Sequence, residues 1–369
     1  MNNKDPRQHV KPAVRAITAY ALAARRAPVK INQNENPYDL PETLKRRVLE
    51  RALLRPWSRY PDFDPRELLE KLAAFSGWRA DGILAGNGSN ELIEALLLVT
   101  VGAGTRVVIP EPTFTLYALL TTILGGEPVR VRLTPELEYD AEAIARARRQ
   151  AGAAVTVVCS PNNPTGGVLG TADVRRLCED GDGLVVVDEA YHEFAGQSVV
   201  PLLGQHPNLV VLRTFSKAMG MAGLRVGYLL ASPELVSEIN KARLPYNLNF
   251  LSQAAALTAI DAYPELAGTV GRLVEERDRL IARLRDVPGL RPHPSRANFF
   301  LLELLDADPK AVFEGLYRRG VLVRDVTSYP MLSRCLRISV GSPEENETFL
   351  HALGAALGEA RRDVALGRA

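Results

Sequence analysis

Lysine is scarce in this chain. Eight lysines stand among 45 Lys and Arg residues, so arginine carries most of the positive charge. Cysteine is scarcer still. Cys159, Cys178 and Cys335 are too few and too widely spaced for a disulfide framework or a zinc knuckle. The five histidines form no HExxH or HxxxH pair, so no resident metal is expected. The formal net charge is only +2, without a basic stripe, and this argues against a nucleic-acid surface. No apolar run approaches the roughly 18 residues of a membrane span. The basic N-terminus lacks the apolar core of a secretory signal, so a cytoplasmic setting is expected. Nucleotide fingerprints are missing too. There is no GxxxxGK[ST], and Glu91 stands where GxGxxG needs its last glycine.

What the chain does have is a recurring pattern: a short apolar, β-branched run, a loop, then a helix-like segment. The runs are GILA near Ile83, RVVIP near Val107, VTVVCS near Val157, GLVVVDEA near Val186, LVVLRTF near Val211 and RVGYLLA near Tyr228. Helical segments are expected at Glu91–Val99, Thr115–Ile123, Asp140–Gln150 and Thr171–Asp180. Several runs are apolar on both faces, as in a sheet covered by helices on each side. The expectation is an α/β fold with a mostly parallel central sheet. After about Pro264 the pattern changes to a long charged amphipathic helix, then NFFLLEL, VLVRD and CLRISVG. The expected division is an N-terminal arm (1–30), a large domain (46–264) and a smaller α+β domain (31–45 with 265–369).

In an open parallel sheet, ligands bind beyond the carboxyl ends of the strands. Chemistry-bearing residues cluster there. Gly88, Ser89 and Asn90 open a helix after GILA, offering backbone N–H groups to an anion. Phe114 follows RVVIP and can lie against a ring, with Tyr117 one helical turn on. Asn163 sits in the rigid turn PNNPTG. Asp188 comes directly after three valines, where an unpaired carboxylate is costly and needs a cationic partner. Tyr191 lies three residues further on. Thr214, Ser216 and Lys217 follow LVVLR, with Arg225 eight residues after the lysine. Guanidinium does not deprotonate in proteins, so a lysine here suits a nucleophile as arginine cannot. Each of these has a bland reading as a turn, a helix cap or core packing. Together they supply an anion cradle, an aromatic plate, an amide, a phenol, a carboxylate and an amine. Pyridoxal 5′-phosphate needs this set: a lysine for its aldehyde, a carboxylate for its ring nitrogen, and backbone donors plus arginine for its phosphate.

SPNNPTG, DEAY and SKAMGMAGLRVGY, in this order and spacing, resemble the fold-type I pyridoxal phosphate enzymes of the class I/II aminotransferase family. The resemblance runs from about Asn32 to Gly341. Within the family, the pieces AY at Ala19–Tyr20, NENPYDLP at Asn34–Pro41, RYPD at Arg59–Asp62 and GVLVRD are most similar to the histidinol-phosphate aminotransferases. The resemblance implies that Lys217 bonds the cofactor, Asp188 pairs with the ring nitrogen, and Tyr191 and Asn163 hold the ring oxygen. It implies that Phe114 stacks on the ring and that Ser89, Asn90, Ser216 and Arg225 hold the phosphate, with Gly88 and Thr214 also at the cofactor. It implies a homodimer in which Tyr60 reaches the neighbouring subunit's cofactor. Arg337 is implied for an anionic substrate group, with Tyr20, Asn36, Arg324 and Tyr246 at the substrate end. The implied substrates are histidinol phosphate and 2-oxoglutarate, exchanged for glutamate. Alternatives that keep the cofactor are an aromatic aminotransferase and a threonine-phosphate decarboxylase-like enzyme. A DNA-binding regulator would need an added basic domain, and only about 30 residues precede NENP.

Overall fold

The computed structural model describes residues 5–18 and 25–365, with side chains to 362. Seven strands build the larger sheet. Their spatial order is Ile83–Gly86, Gly227–Leu230, Leu209–Thr214, Leu184–Asp188, Val155–Cys159, Arg106–Glu111 and Glu127–Arg132. All neighbours pair in parallel except Gly227–Leu230, which runs antiparallel to both strands beside it. The three central strands are buried almost throughout, as expected of β-branched runs covered on both faces. One face packs against Glu42–Leu53, Arg66–Ser76 and Phe250–Asp261 through residues such as Leu44, Val48, Leu72 and Ala255. The other packs against Ser89–Thr100 and Leu116–Leu124 through Leu92, Leu96 and Tyr117.

The helices begin where the sequence supplies acceptors. Asp140, Ser232, Asn249 and Asp308 each accept a backbone N–H in the first turn of the helix they open. Gly152 closes Ala141–Ala151 with φ +55°, a left-handed position that suits glycine.

The expected strands all form. Glu127–Arg132 was not among them, because this edge strand is mostly polar and half exposed and has no apolar run to mark it.

A second sheet orders Arg324–Asp325, Cys335–Ser339, Phe299–Leu304 and Leu290–Pro292, all antiparallel. Tyr263–Arg285, Pro309–Arg318 and Pro343–Ala365 pack with it around Phe299, Phe300, Leu316 and Phe349. The expected VLVRD strand is split. Val321–Leu322 pairs with Val29–Lys30, while Arg324–Asp325 joins the second sheet. The first pairing ties the segment leading into NENP to this part of the fold. The helix Glu42–Leu53 then carries the chain across to pack on Phe250–Asp261.

Candidate active site

The strands of the larger sheet deliver their chemistry to one edge. Parallel strands deliver it at their carboxyl ends. The antiparallel strand Gly227–Leu230 starts at that edge, so Arg225, which precedes it, arrives there too.

Asp188 ends the strand Leu184–Asp188 and is buried. The Tyr117 hydroxyl donates to its Oδ2 at 2.6 Å, and the Ala190 N–H donates to Oδ1 at 3.1 Å. Burial raises its pKa to about 6, and the Tyr117 hydrogen bond opposes that rise. Among the described residues no ion pair reaches this carboxylate. Among the described residues no side chain supplies, as an ion pair, the cationic partner expected from the sequence.

Lys217 lies in the loop after Leu209–Thr214. Its Nζ donates to the Gln33 carbonyl at 3.0 Å and stands 5.9 Å from the centre of the Tyr191 ring. Burial, and next the Arg337 guanidinium, bring the amine's pKa down to about 8. Tyr191 accepts a 3.0 Å hydrogen bond from Asn34 Nδ2 and packs edge-on against Phe299. Burial raises its pKa. Asn34 is itself held: Ser339 Oγ donates to its Oδ1 at 2.9 Å, and its backbone sits at φ +56°.

The two asparagines of PNNPTG do different work. Asn162 is fully buried and bonds Thr113, Thr165 and the Pro112 carbonyl, which fixes the turn. Asn163 Oδ1 accepts from Arg337 at 2.6 Å, which leaves its amide N–H groups as donors. Arg337 also donates to the Asn32 carbonyl at 2.7 Å and lies over the Phe299 ring. Arg324 is its direct partner across the antiparallel strand pair. Phe114 is half-buried at the crevice and meets Tyr117 edge to face at 5.6 Å.

The anion cradle is equally compact. Ser89 and Asn90 start the helix Ser89–Thr100, and Gly88 precedes them at φ +83°. A Cβ on Gly88 would meet the Arg225 guanidinium at 2.3 Å, and one on Gly227 would meet the Ser89 N at 2.3 Å. Glycine is needed at both places for this approach. Arg225 donates to Ser216 Oγ at 3.1 Å, and the hydroxyls of Thr214 and Ser216 lie 3.0 Å apart. Asn36 reaches the Lys217 loop by donating to the Ala218 carbonyl at 3.1 Å.

Tyr60 and Tyr246 stack on each other at 4.4 Å, and both are exposed in the single chain. Tyr20 lies outside the described residues. Sequence reasoning gave Asn34 no role at the site, and placed Tyr117 beside Phe114 without linking it to Asp188. Both had a signal: Asn34 stands in NENP two residues before Asn36, and Tyr117 follows Phe114 at a helical spacing.

These residues fit pyridoxal phosphate on their own chemistry. A buried carboxylate without a cation faces the sheet edge, a weakly basic amine stands near it, and N–H, hydroxyl and guanidinium donors converge on a glycine-shaped cradle. The chain belongs to the class I and II aminotransferases, whose family model matches residues 26–353. It is a pyridoxal phosphate-dependent aminotransferase. A histidinol-phosphate aminotransferase of Chlorobium phaeovibrioides is 40% identical over 357 residues, covering 96% of this chain and 99% of that one. The histidinol-phosphate aminotransferase of Chlorobaculum tepidum is 38% identical over 93% of this chain and 99% of its own. Among solved structures, the Sinorhizobium meliloti histidinol-phosphate aminotransferase in complex with pyridoxal 5′-phosphate superposes with a TM-score of 0.86. It is 25% identical, over 95% of this chain and 98% of that one.

Proposed function

We propose that this enzyme moves the amino group of histidinol phosphate to 2-oxoglutarate, giving the phosphorylated ketone and glutamate. The observation that carries the substrate is the Arg324–Arg337 pair, two arginines that are register partners on neighbouring antiparallel strands. A phosphate ester carries nearly two charges near neutral pH, and paired arginines suit it better than one. The names of the relatives, at 38–40% identity over nearly the whole chain, support the same substrate.

Bound pyridoxal phosphate supplies an aldehyde that exchanges amines and a ring that accepts electrons when a Cα–H bond breaks. The chain's own residues do the rest. Lys217 would bond the cofactor's aldehyde, and its amine is the base that would take up and return the proton of the substrate's α-carbon. Its lowered pKa leaves part of the amine neutral near pH 7–8, as a base at work must be. Asp188 is the counter-charge for the ring nitrogen, and Tyr117 keeps that carboxylate ionised. Tyr191 and the Asn163 amide hold the ring oxygen, and Phe114 covers one ring face. Gly88, Ser89, Asn90, Thr214, Ser216 and Arg225 take the phosphate. Arg337 serves both amino donors, because glutamate also presents a carboxylate, with Asn36 at the substrate end, where the family resemblance also implies Tyr20.

The working unit is proposed to be a homodimer. Leu53, Leu54, Trp57, Tyr60 and Tyr246 leave an apolar surface that a second copy would cover, with Leu54 85% and Tyr60 80% exposed in one chain. In the dimer, Tyr60 and Tyr246 complete the partner's site. The three cysteines are free and buried, and among the described residues no helix is long and apolar enough to cross a membrane. A cytoplasmic enzyme agrees with both. An amine-donor panel followed by single-turnover absorbance tests the assignment. Histidinol phosphate should discharge the cofactor's aldehyde form fastest, and 2-oxoglutarate should restore it. Release of carbon dioxide from phosphothreonine at a comparable rate would instead favour a decarboxylase.

A further inference from the structure

The sequence offers no metal motif, yet the second sheet brings three metal-binding side chains together. Glu303 lies directly opposite Cys335 on one neighbouring strand and opposite Arg291 on the other. His293 follows Arg291 by two residues, and its N–H donates to the Leu301 carbonyl, so its backbone is pinned beside the same strand. The His293 Nε2 lies 3.1 Å from Glu303 Oε2. One ligand atom each from His293, Glu303 and Cys335 lie within 4.8 Å of one another. Ligands of a tetrahedral zinc, at about 2.0–2.3 Å from the metal, stand roughly 3.5 Å apart. Small side-chain rotations close that difference.

We propose that His293, Glu303 and Cys335 bind one divalent ion of the zinc class, with a water as the fourth ligand. The donor set selects the metal: imidazole, thiolate and carboxylate together favour zinc and its thiophilic neighbours over magnesium or calcium. Access fits as well. Cys335 is buried, whereas the His293 and Glu303 side chains keep 15% and 16% of their surface, which opens one side of the cluster to solvent. Arg291 holds Glu303 through Oε2. Among the described residues nothing donates to Oε1, so the carboxylate can keep its arginine and still bind the ion. On binding, the Cys335 thiol gives its proton to solvent and the sulfur forms the metal bond as thiolate. The ion would then staple three strands of the sheet that carries Arg337, two residues along from Cys335.

The test is cobalt titration of the cofactor-loaded enzyme after chelator treatment and dialysis. One cobalt per chain should bind, with a near-ultraviolet sulfur-to-cobalt band and strong visible bands of a four-coordinate ion; zinc should displace it. Cys335→Ser should abolish the sulfur band. His293→Ala should weaken binding at least as much as the ten- to hundred-fold that loss of an outer-shell partner costs. The unchanged cofactor spectrum of each variant would show that the fold survives. Absence of a sulfur band in the unmodified protein overturns the proposal. So does a band that persists in Cys335→Ser, since that would place the ion on Cys159 or Cys178, or binding without sulfur that places it at the cofactor.

Discussion

The Tyr117 hydroxyl and the Asp188 carboxylate meet at 2.6 Å beneath the crevice, one on a covering helix and the other at the end of a central strand. Tyr117 is fully buried, and burial raises its pKa. It therefore donates its proton and stays neutral. Its hydrogen bond favours the ionised form of Asp188, whose pKa burial has already pushed up to about 6.

Tyr117→Phe removes this bond, and a hydrogen bond to a charged group is worth about 1.5–3 kcal/mol. The Asp188 pKa then rises further. The acid limb of the pH–rate profile should move to higher pH, by about one to two pH units for that loss, so that activity on the acid side falls more than activity near pH 8. An unchanged acid limb would show that Tyr117 merely fills space.

Lys217 gives a prediction without any turnover. In the folded chain its amine titrates near pH 8, against an ordinary lysine value of 10.5. Between those values the unfolded chain holds more protons, so this group raises stability as pH rises through the window. Below pH 8 the charged amine costs the cofactor-free fold on the order of 1–3 kcal/mol. Cofactor-free Lys217→Met should therefore resist urea better than the parent at pH 7. The advantage should shrink towards zero by about pH 10.5. A constant difference across that range would mean that packing, not the buried charge, sets it.

Asn34 anchors Tyr191 and Ser339 at once, from a left-handed backbone position that asparagine tolerates. Asn34→Ala loses two buried side-chain hydrogen bonds and strains φ. A loss of about 2–4 kcal/mol in urea unfolding is expected. A loss under about 0.5 kcal/mol would remove Asn34 from the account.

Much of this site was legible before the structure because strand ends are marked by abrupt changes of residue type. Three valines before Asp188 and the apolar run before Thr214 located two strand termini, and those termini meet the neighbouring strands in register. What stayed hidden depends on contacts distant in sequence. Asn34 and Tyr191 are 157 positions apart, and Asn163 and Arg337 are 174. The edge strand Glu127–Arg132 escaped because an exposed edge needs no apolar run. The adjacency of Arg324 and Arg337 was anticipated from two short runs with an arginine in each, and the two residues are register partners on neighbouring strands.

That pair separates the two half-reactions. Arg324→Ala should raise the KM for histidinol phosphate at least about tenfold, the loss of roughly one charge-assisted contact. Its KM for glutamate should change little. Arg337→Ala should damage both, since it also holds Asn163. Equal losses for the two donors in Arg324→Ala would show that Arg324 does not read the phosphate.

The most direct test of the whole account is to follow one turnover of the loaded enzyme with histidinol phosphate by absorbance, then treat the resting enzyme with borohydride and map the labelled peptide. Rapid loss of the aldehyde-form band is expected on adding histidinol phosphate, with its return on adding 2-oxoglutarate and a pyridoxyl group on Lys217. A band indifferent to histidinol phosphate, or a label on Lys241, would contradict it.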